Sequence, residues 1–396
     1  MRGLAIALVL AGCSPKQAST APPATPATST PAETVDAPSP ERAEASAEPR
    51  TEAFSIESAK LSEFVGAPVQ MHSIVLTPPN YDPEHGYPIV YVVHGFGGNH
   101  EALEQRFAPL VIAGFEAGTI EPMLWVFLDA SHPFGHHVFA DSANMGPWGT
   151  ALVEELIPAV EARFGAVGEP RGRFTMGHSS GGWSSLWLQV SHPEVFGGVC
   201  STAPDPVDFR AFTGVDLYAQ DNMYRDAKGN PTQLMRRNGK WAVTFEEYTR
   251  KEIEQRPVGG QIFSFDAVFS PRGEDGMPVP VFDRETGVID KQVVEAWKPF
   301  DISRVLREDW DRLGPLLEGK LHVIVGTQDT FGLEAAVYRL DEELDELGSD
   351  ADIVFVEGRT HGSLYDPHPE LYPNGLTAHC AGLFWESYSL DPSRAG

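Results

Sequence analysis

The run Ile89-Val90-Tyr91-Val92-Val93 is apolar at every position and mostly β-branched, so neither face of the strand it predicts can be left to water. Such a strand needs covering layers on both sides, and the chain supplies them. Helical patterns over 99–117 and 148–164 and after Trp183 alternate with strand-like runs over 123–129, 172–176 and 197–202. The alternation resumes with a buried run over 321–325 and a helix marked by Leu333, Ala336, Val337, Leu340, Leu344 and Leu347. A run over 352–356 and a final helix over 377–388 close it. Two strands, over 54–61 and 69–77, precede the whole. The pattern predicts an α/β fold with a mostly parallel central sheet flanked by helices. Ligand sites in such sheets gather at the carboxyl ends of the strands.

One section breaks the alternation. Residues 205–297 are rich in Gly and Pro, with one convincing short helix over 245–254. Scattered aromatics, among them Tyr218, Trp241, Phe263 and Phe269, predict a large ordered insert over the strand ends rather than a loose connection.

The beginning of the chain has a different character. Arg2 precedes a short apolar run that ends in Leu10-Ala11-Gly12-Cys13, the pattern of a bacterial lipoprotein signal over 1–12 with Cys13 as the lipidated residue. Ala, Pro, Ser, Thr and Glu dominate the next forty or so residues, so 13–53 reads as a disordered tether that cannot bury enough surface to offset its ordering entropy. Residues 54–391 are then the folded domain. Acyl chains on Cys13 would hold it at a membrane, which places the expected location in the bacterial cell envelope, at the outer membrane or facing the periplasm.

With 29 Lys and Arg against 56 Asp and Glu, the net charge is −27, which repels phosphate backbones and argues against nucleic-acid binding. Besides Cys13 the chain has Cys200 and Cys380. In an oxidising compartment they are a possible pair, but nothing in the sequence fixes their distance, and two separate buried thiols are the expectation.

Gly177-His178-Ser179-Ser180-Gly181 fits G-x-S-x-G and lies between a predicted strand and a predicted amphipathic helix, the context in which that turn presents a serine hydroxyl. The flanking glycines are required because side chains there would meet neighbouring backbone. A serine needs a base, and the base an orienting carboxylate. His361 follows the strand over 352–356, and Asp329 follows the strand over 321–325, giving the chain order Ser179, Asp329, His361. Asp301 and Glu357 are second-choice acids, His368 and His379 second-choice bases. Donors for a tetrahedral oxyanion are expected from the backbone N–H of Ser180 and of Phe96, the latter in the glycine loop His94-Gly95-Phe96-Gly97-Gly98, with His94 as a brace. The loop containing His132, His136 and His137 lacks the spacing of a zinc motif and reads as a pocket wall, so no metal is expected.

From Val69 to Tyr388 the chain resembles the putative-esterase family of α/β-hydrolases, which includes feruloyl and acetylxylan esterases, S-formylglutathione hydrolase, enterochelin esterases and mycolyltransferases. The resemblance is carried by YVVHGFGG, WGTALVEELIPAVEARFG, GHSSGGWSSLWLQVSHPEVFGGV, VGTQD and EGRTHG. It implies Ser179 as nucleophile, Asp329 as acid and His361 as base, but no particular substrate, because specificity in this group lies in the variable loops. Ester hydrolysis by such a triad needs no cofactor, and a small-molecule or glycan-linked ester is the expected substrate. A Ser-dependent acyltransferase is a variant of the same chemistry. A lipid-anchored, non-catalytic binding protein on a hydrolase scaffold is the alternative of a different kind.

Overall fold

The computed structural model describes residues 42–389. The proposed signal over 1–12, Cys13 and the tether as far as residue 41 lie outside the described residues. The tether expected up to residue 53 ends sooner: Ala43 is buried and its N–H donates to the Arg163 carbonyl at 2.9 Å. A strand already begins at Arg50.

Eight strands form the central sheet: β1 (Arg50–Glu57), β2 (Gln70–Thr77), β3 (Ile89–Val93), β4 (Leu124–Leu128), β5 (Arg173–His178), β6 (Gly198–Thr202), β7 (Leu321–Gly326) and β8 (Asp352–Val356). Their order across the sheet is β1-β2-β4-β3-β5-β6-β7-β8. β2 runs antiparallel to both its neighbours, and every other pairing is parallel. The central strands β3, β4 and β6 are buried along their whole length, as the unbroken apolar runs of β3 and β4 require. The strand expected to run through residue 61 stops at Glu57, because Ser58 accepts from the Leu61 N–H and caps a short helix, α1 (Ala59–Val65).

The flanking helices fall where the periodicity puts them. Asn99 caps α2 (His100–Ala117), and the helical stretch over 148–164 is interrupted by a π turn at Leu152–Leu156. Next come α3 (Ser180–Ser191), then α4 (Phe245–Gln255) and α5 (Gln261–Phe269) of the insert, and finally α6 (Glu334–Glu346) and α7 (Leu376–Ser389).

The insert is ordered and richer in structure than its one legible helix. Besides α4 and α5 it holds an antiparallel hairpin, Gln233–Arg237 with Lys240–Thr244, and a helix at Lys291–Trp297. Phe209, Phe212, Phe265, Phe269 and Trp297 interlock at ring separations of 5.1–6.3 Å to form its core. The scattered aromatics thus build a second hydrophobic centre that extends the main one.

Contrary to the expectation of separate thiols, Cys200 on β6 and Cys380 on α7 are joined in a disulfide, with Cα atoms 5.8 Å apart and a sequence separation of 180. The bond fastens the last helix to the centre of the sheet. Replacing both cysteines by serine is expected to lower unfolding stability by about 2–5 kcal/mol, because a very long loop is no longer closed in the unfolded chain. Urea denaturation of the variant beside wild type measures this, and an unchanged midpoint would contradict it.

Candidate active site

The carboxyl ends of β3 and β5 and the loops after β7 and β8 converge on a cavity of about 480 Å³. Ser179 and His361 both line it, with Phe96, Leu103, Phe107 and Phe331 as apolar walls.

Ser179 sits at the turn between β5 and α3 with φ 62° and ψ −125°, a conformation a side chain adopts only when its surroundings impose it. The glycines around it show what imposes it. A Cβ on Gly177 would lie 2.1 Å from the Gly181 carbonyl oxygen, and a Cβ on Gly181 would lie 2.1 Å from that of Val93. Backbone bonds complete the frame: the Ser179 N–H donates to the Thr202 carbonyl at 3.0 Å, and the Asp205 N–H donates to the Ser179 carbonyl at 3.1 Å.

Asp329 and His361 meet as the sequence predicts. His361 Nδ1 lies 2.7 Å from Asp329 Oδ2, and Asp329 is fully buried. Because an ionised carboxylate only accepts, Nδ1 carries the hydrogen and Nε2 keeps its lone pair. The other oxygen of Asp329 accepts from the N–H groups of Phe331 (2.8 Å) and Leu333 (3.4 Å), so the residue also caps the turn that leads into α6. Gly326 makes the meeting possible: a Cβ there would stand 2.1 Å from the Arg359 carbonyl, so the end of β7 passes in contact with the loop that carries His361. The Gln328 N–H then donates to that same carbonyl at 3.0 Å. Among the described residues no hydrogen bond joins the Ser179 hydroxyl to His361. Catalytic contacts of this type commonly tighten only with substrate in place.

The glycine loop after β3 stands against the elbow, with a Cβ on Gly95 reaching 3.3 Å from that of Ser179. His94 braces it, as expected. Its Nε2 accepts from the Ala130 N–H at 2.9 Å, so its Nδ1 donates to the Gly95 carbonyl at 2.8 Å. The Gly98 N–H donates to the same carbonyl at 3.1 Å. In a trans peptide the N–H points opposite its carbonyl, so the Phe96 N–H is turned away from those donors.

The histidine loop over 131–141 contributes nothing to the cavity lining, which corrects its reading as a pocket wall. It lies behind the wall as a buttress: His136 Nδ1 accepts from the Val138 N–H at 3.1 Å, and its Nε2 donates to the His94 carbonyl at 2.8 Å. His137 stacks on Trp148 with centroids 3.9 Å apart. Burial pushes His136 down to about 3 and His137 well below its ordinary value, so both remain neutral.

The second-choice residues are elsewhere. Asp301 caps the helix Ile302–Glu308 and accepts from the Tyr218 hydroxyl at 2.7 Å. His368 accepts from backbone N–H groups of its own turn, and neither it, Glu357 nor His379 lines the cavity.

One acid was not read from the sequence. Asp205, in the Ala203-Pro204-Asp205-Pro206 loop after β6, is buried, and its carboxylate accepts from Ser180 Oγ at 2.5 Å. Burial raises it to about 6, against the lowering effects of the Ser180 hydroxyl, the nearby His361 and the Ser179 hydroxyl. The only sequence signal was an aspartate between two prolines at a strand end.

Residues 67–249 match the family model described as putative esterase. Over that stretch the chain is similar to the putative esterase family. Two esterases of Mycobacterium tuberculosis strains are each 33% identical over 115 residues, 28% of this chain and 24% of the relative. An uncharacterized protein of Bacillus subtilis is 30% identical over 141 residues, 31% of this chain and 52% of that one. The chain thus spans about a quarter of the length of the mycobacterial relatives and about half of the Bacillus one. Among solved structures, a ferulic acid esterase superimposes with a TM-score of 0.53 at 12% identity, covering 86% of this chain and 99% of that one. A substrate-bound fluorophosphonate-binding serine hydrolase of Staphylococcus aureus gives 0.50 at 11%, with the same coverage. At such identities the likeness concerns the fold, which is that of the α/β-hydrolases.

Asp205 yields a pH-dependent prediction. A carboxyl raised from 3.8 to about 6 on folding makes the folded state less stable once it ionises, so stability is lost as pH rises between those values. Asp205→Asn, which keeps an acceptor for Ser180, is expected to be more stable than wild type at pH 8 by up to about 3 kcal/mol, at ~1.4 kcal/mol per pH unit. The gain should vanish below about pH 4. Urea unfolding at the two pH values checks it, and a destabilised variant at pH 8 would contradict it.

Proposed function

We propose that this protein hydrolyses carboxylic esters with Ser179 as nucleophile, His361 as general base and acid, and Asp329 as the group that orients His361. The observation that supports this most is the 2.7 Å bond from His361 to buried Asp329, made by a histidine that shares one cavity with Ser179 at the elbow. Bonding through Nδ1 leaves Nε2 as the free base. As the ester seats, the Ser179 hydroxyl turns toward His361, gives its proton to Nε2 and attacks the acyl carbon. The negative charge on the former carbonyl oxygen is met by the N–H groups of Ser180 and Phe96. His361 then returns the proton to the leaving alcohol, and water repeats the sequence on the acyl-enzyme. No step calls for a metal or cofactor. The cavity has the size of a small-molecule site, and its aromatic and aliphatic walls suit a compact acyl or aryl group. An intact Asp329–His361 pair argues against a retired scaffold that only binds.

Wild type is expected to turn over p-nitrophenyl acetate and to be labelled by a fluorophosphonate. Ser179→Ala should lose labelling and at least about 10³-fold in kcat. A wild type that neither labels nor hydrolyses short esters would refute the reading.

We also propose that Cys13 is lipidated and fixes the domain to a membrane of the bacterial envelope, in line with the Leu10-Ala11-Gly12-Cys13 pattern and the polar segment after it. A disulfide between Cys200 and Cys380 agrees with an oxidising compartment. Cys13→Ser should shift the protein from the membrane pellet to the soluble fraction, and unchanged sedimentation would contradict this.

A further inference from the structure

Arginines in this acidic chain are mostly paired. Arg173 bonds Glu161 at 2.5 Å, Arg236 bonds Glu334 at 2.7 Å, and Arg210 and Arg307 converge on Glu343 at 2.9 and 2.7 Å. Arg106 is an exception. It lies on α2 and lines the cavity that holds Ser179 and His361, yet among the described residues no carboxylate lies within salt-bridge distance of it. Its guanidinium is instead held by aromatic rings, 5.5 Å from the centroid of Tyr365 and 6.0 Å from that of Phe107. The side chain is exposed to solvent, and those contacts orient it without neutralising it. Its charge reaches the elbow, where it helps to disfavour protonation of His178.

A second cation stands nearby in the same condition. The Arg256 guanidinium sits 5.8 Å from the ring centroid of Phe96, a wall of the cavity, and likewise has no carboxylate partner among the described residues. With 56 acidic side chains available to 29 basic ones, two arginines beside one cavity with no acid opposite them leave room for an anion brought from outside. A guanidinium anchored on aromatic faces presents its N–H fork to such a group with little ordering cost.

We propose that the cavity selects esters that carry a carboxylate, with Arg106 as the residue that binds it. This deepens the hydrolase reading above and rests on it for turnover. The carboxylate can belong to the acyl part or to the alcohol part, and matched substrates separate the two. p-Nitrophenyl hemisuccinate against p-nitrophenyl butyrate probes the acyl side, and 4-acetoxybenzoate against 4-acetoxybenzamide probes the alcohol side.

With the full chain, the ratio of kcat/KM for the charged ester to that for its neutral partner is expected to fall about tenfold or more in Arg106→Gln on at least one side, the scale of one charge-assisted hydrogen bond. Arg106→Lys should recover part of the ratio, and Arg237→Gln, a surface change, should leave it as in wild type. Isothermal titration with benzoate gives a readout independent of turnover: its affinity should weaken about tenfold in Arg106→Gln, with benzamide unaffected by the change of charge. Ratios and benzoate affinity within about twofold of wild type in Arg106→Gln would overturn the proposal. If wild type binds benzoate through Arg106 but hydrolyses none of the four esters, the hydrolase reading fails and the anion site stands.

Discussion

The site depends on how closely backbones meet where β3, β5 and β6 end. Gly181 touches the Val93 and His94 carbonyls, Gly182 touches that of Thr202, and Gly177 faces Gly181 across the turn. No side chain fits at any of these contacts. With the turn wedged between neighbouring strand ends, Ser179 is forced to positive φ and its side chain is presented at the cavity. A strained residue persists only where its surroundings over-determine it, and here two strand ends and the first turn of α3 do so together.

A second layer of constraint is electrostatic. The side chains near the elbow are oriented by what they touch. His94 and His136 are each oriented by backbone bonds on both ring nitrogens. His361 is oriented through Nδ1 by a carboxylate without access to water. Asp205 lies behind the elbow and accepts from the Ser180 hydroxyl.

Much of this was legible in the sequence, for identifiable reasons. Strands such as Ile89–Val93 announce themselves because a two-sided core demands unbroken apolar runs. The elbow, Asp329 and His361 were legible because each stands just beyond a strand-like run. Asp205 also follows a strand but was overlooked, since an acid between prolines reads as a turn. The pairing of Cys200 with Cys380 was not legible, because their distance is a product of the whole sheet and last helix rather than of any local pattern. The histidine loop misled for a related cause: His136 works by reaching 42 residues back to the His94 carbonyl, and such a contact leaves no periodic trace. In the insert, aromatic content predicted order, but the packing of Phe269 against Trp297 and Trp183 comes from tertiary structure alone.

The central claim is covalent: the acyl group of an ester passes through Ser179. The most direct measurement is acid quenching of the protein within the first turnover of a chromogenic ester, and then peptide mass spectrometry to locate the acyl group. The account predicts the adduct on the peptide that contains Ser179, at that residue and not at Ser180. Turnover with no adduct there, or with the acyl group on another side chain, would contradict it.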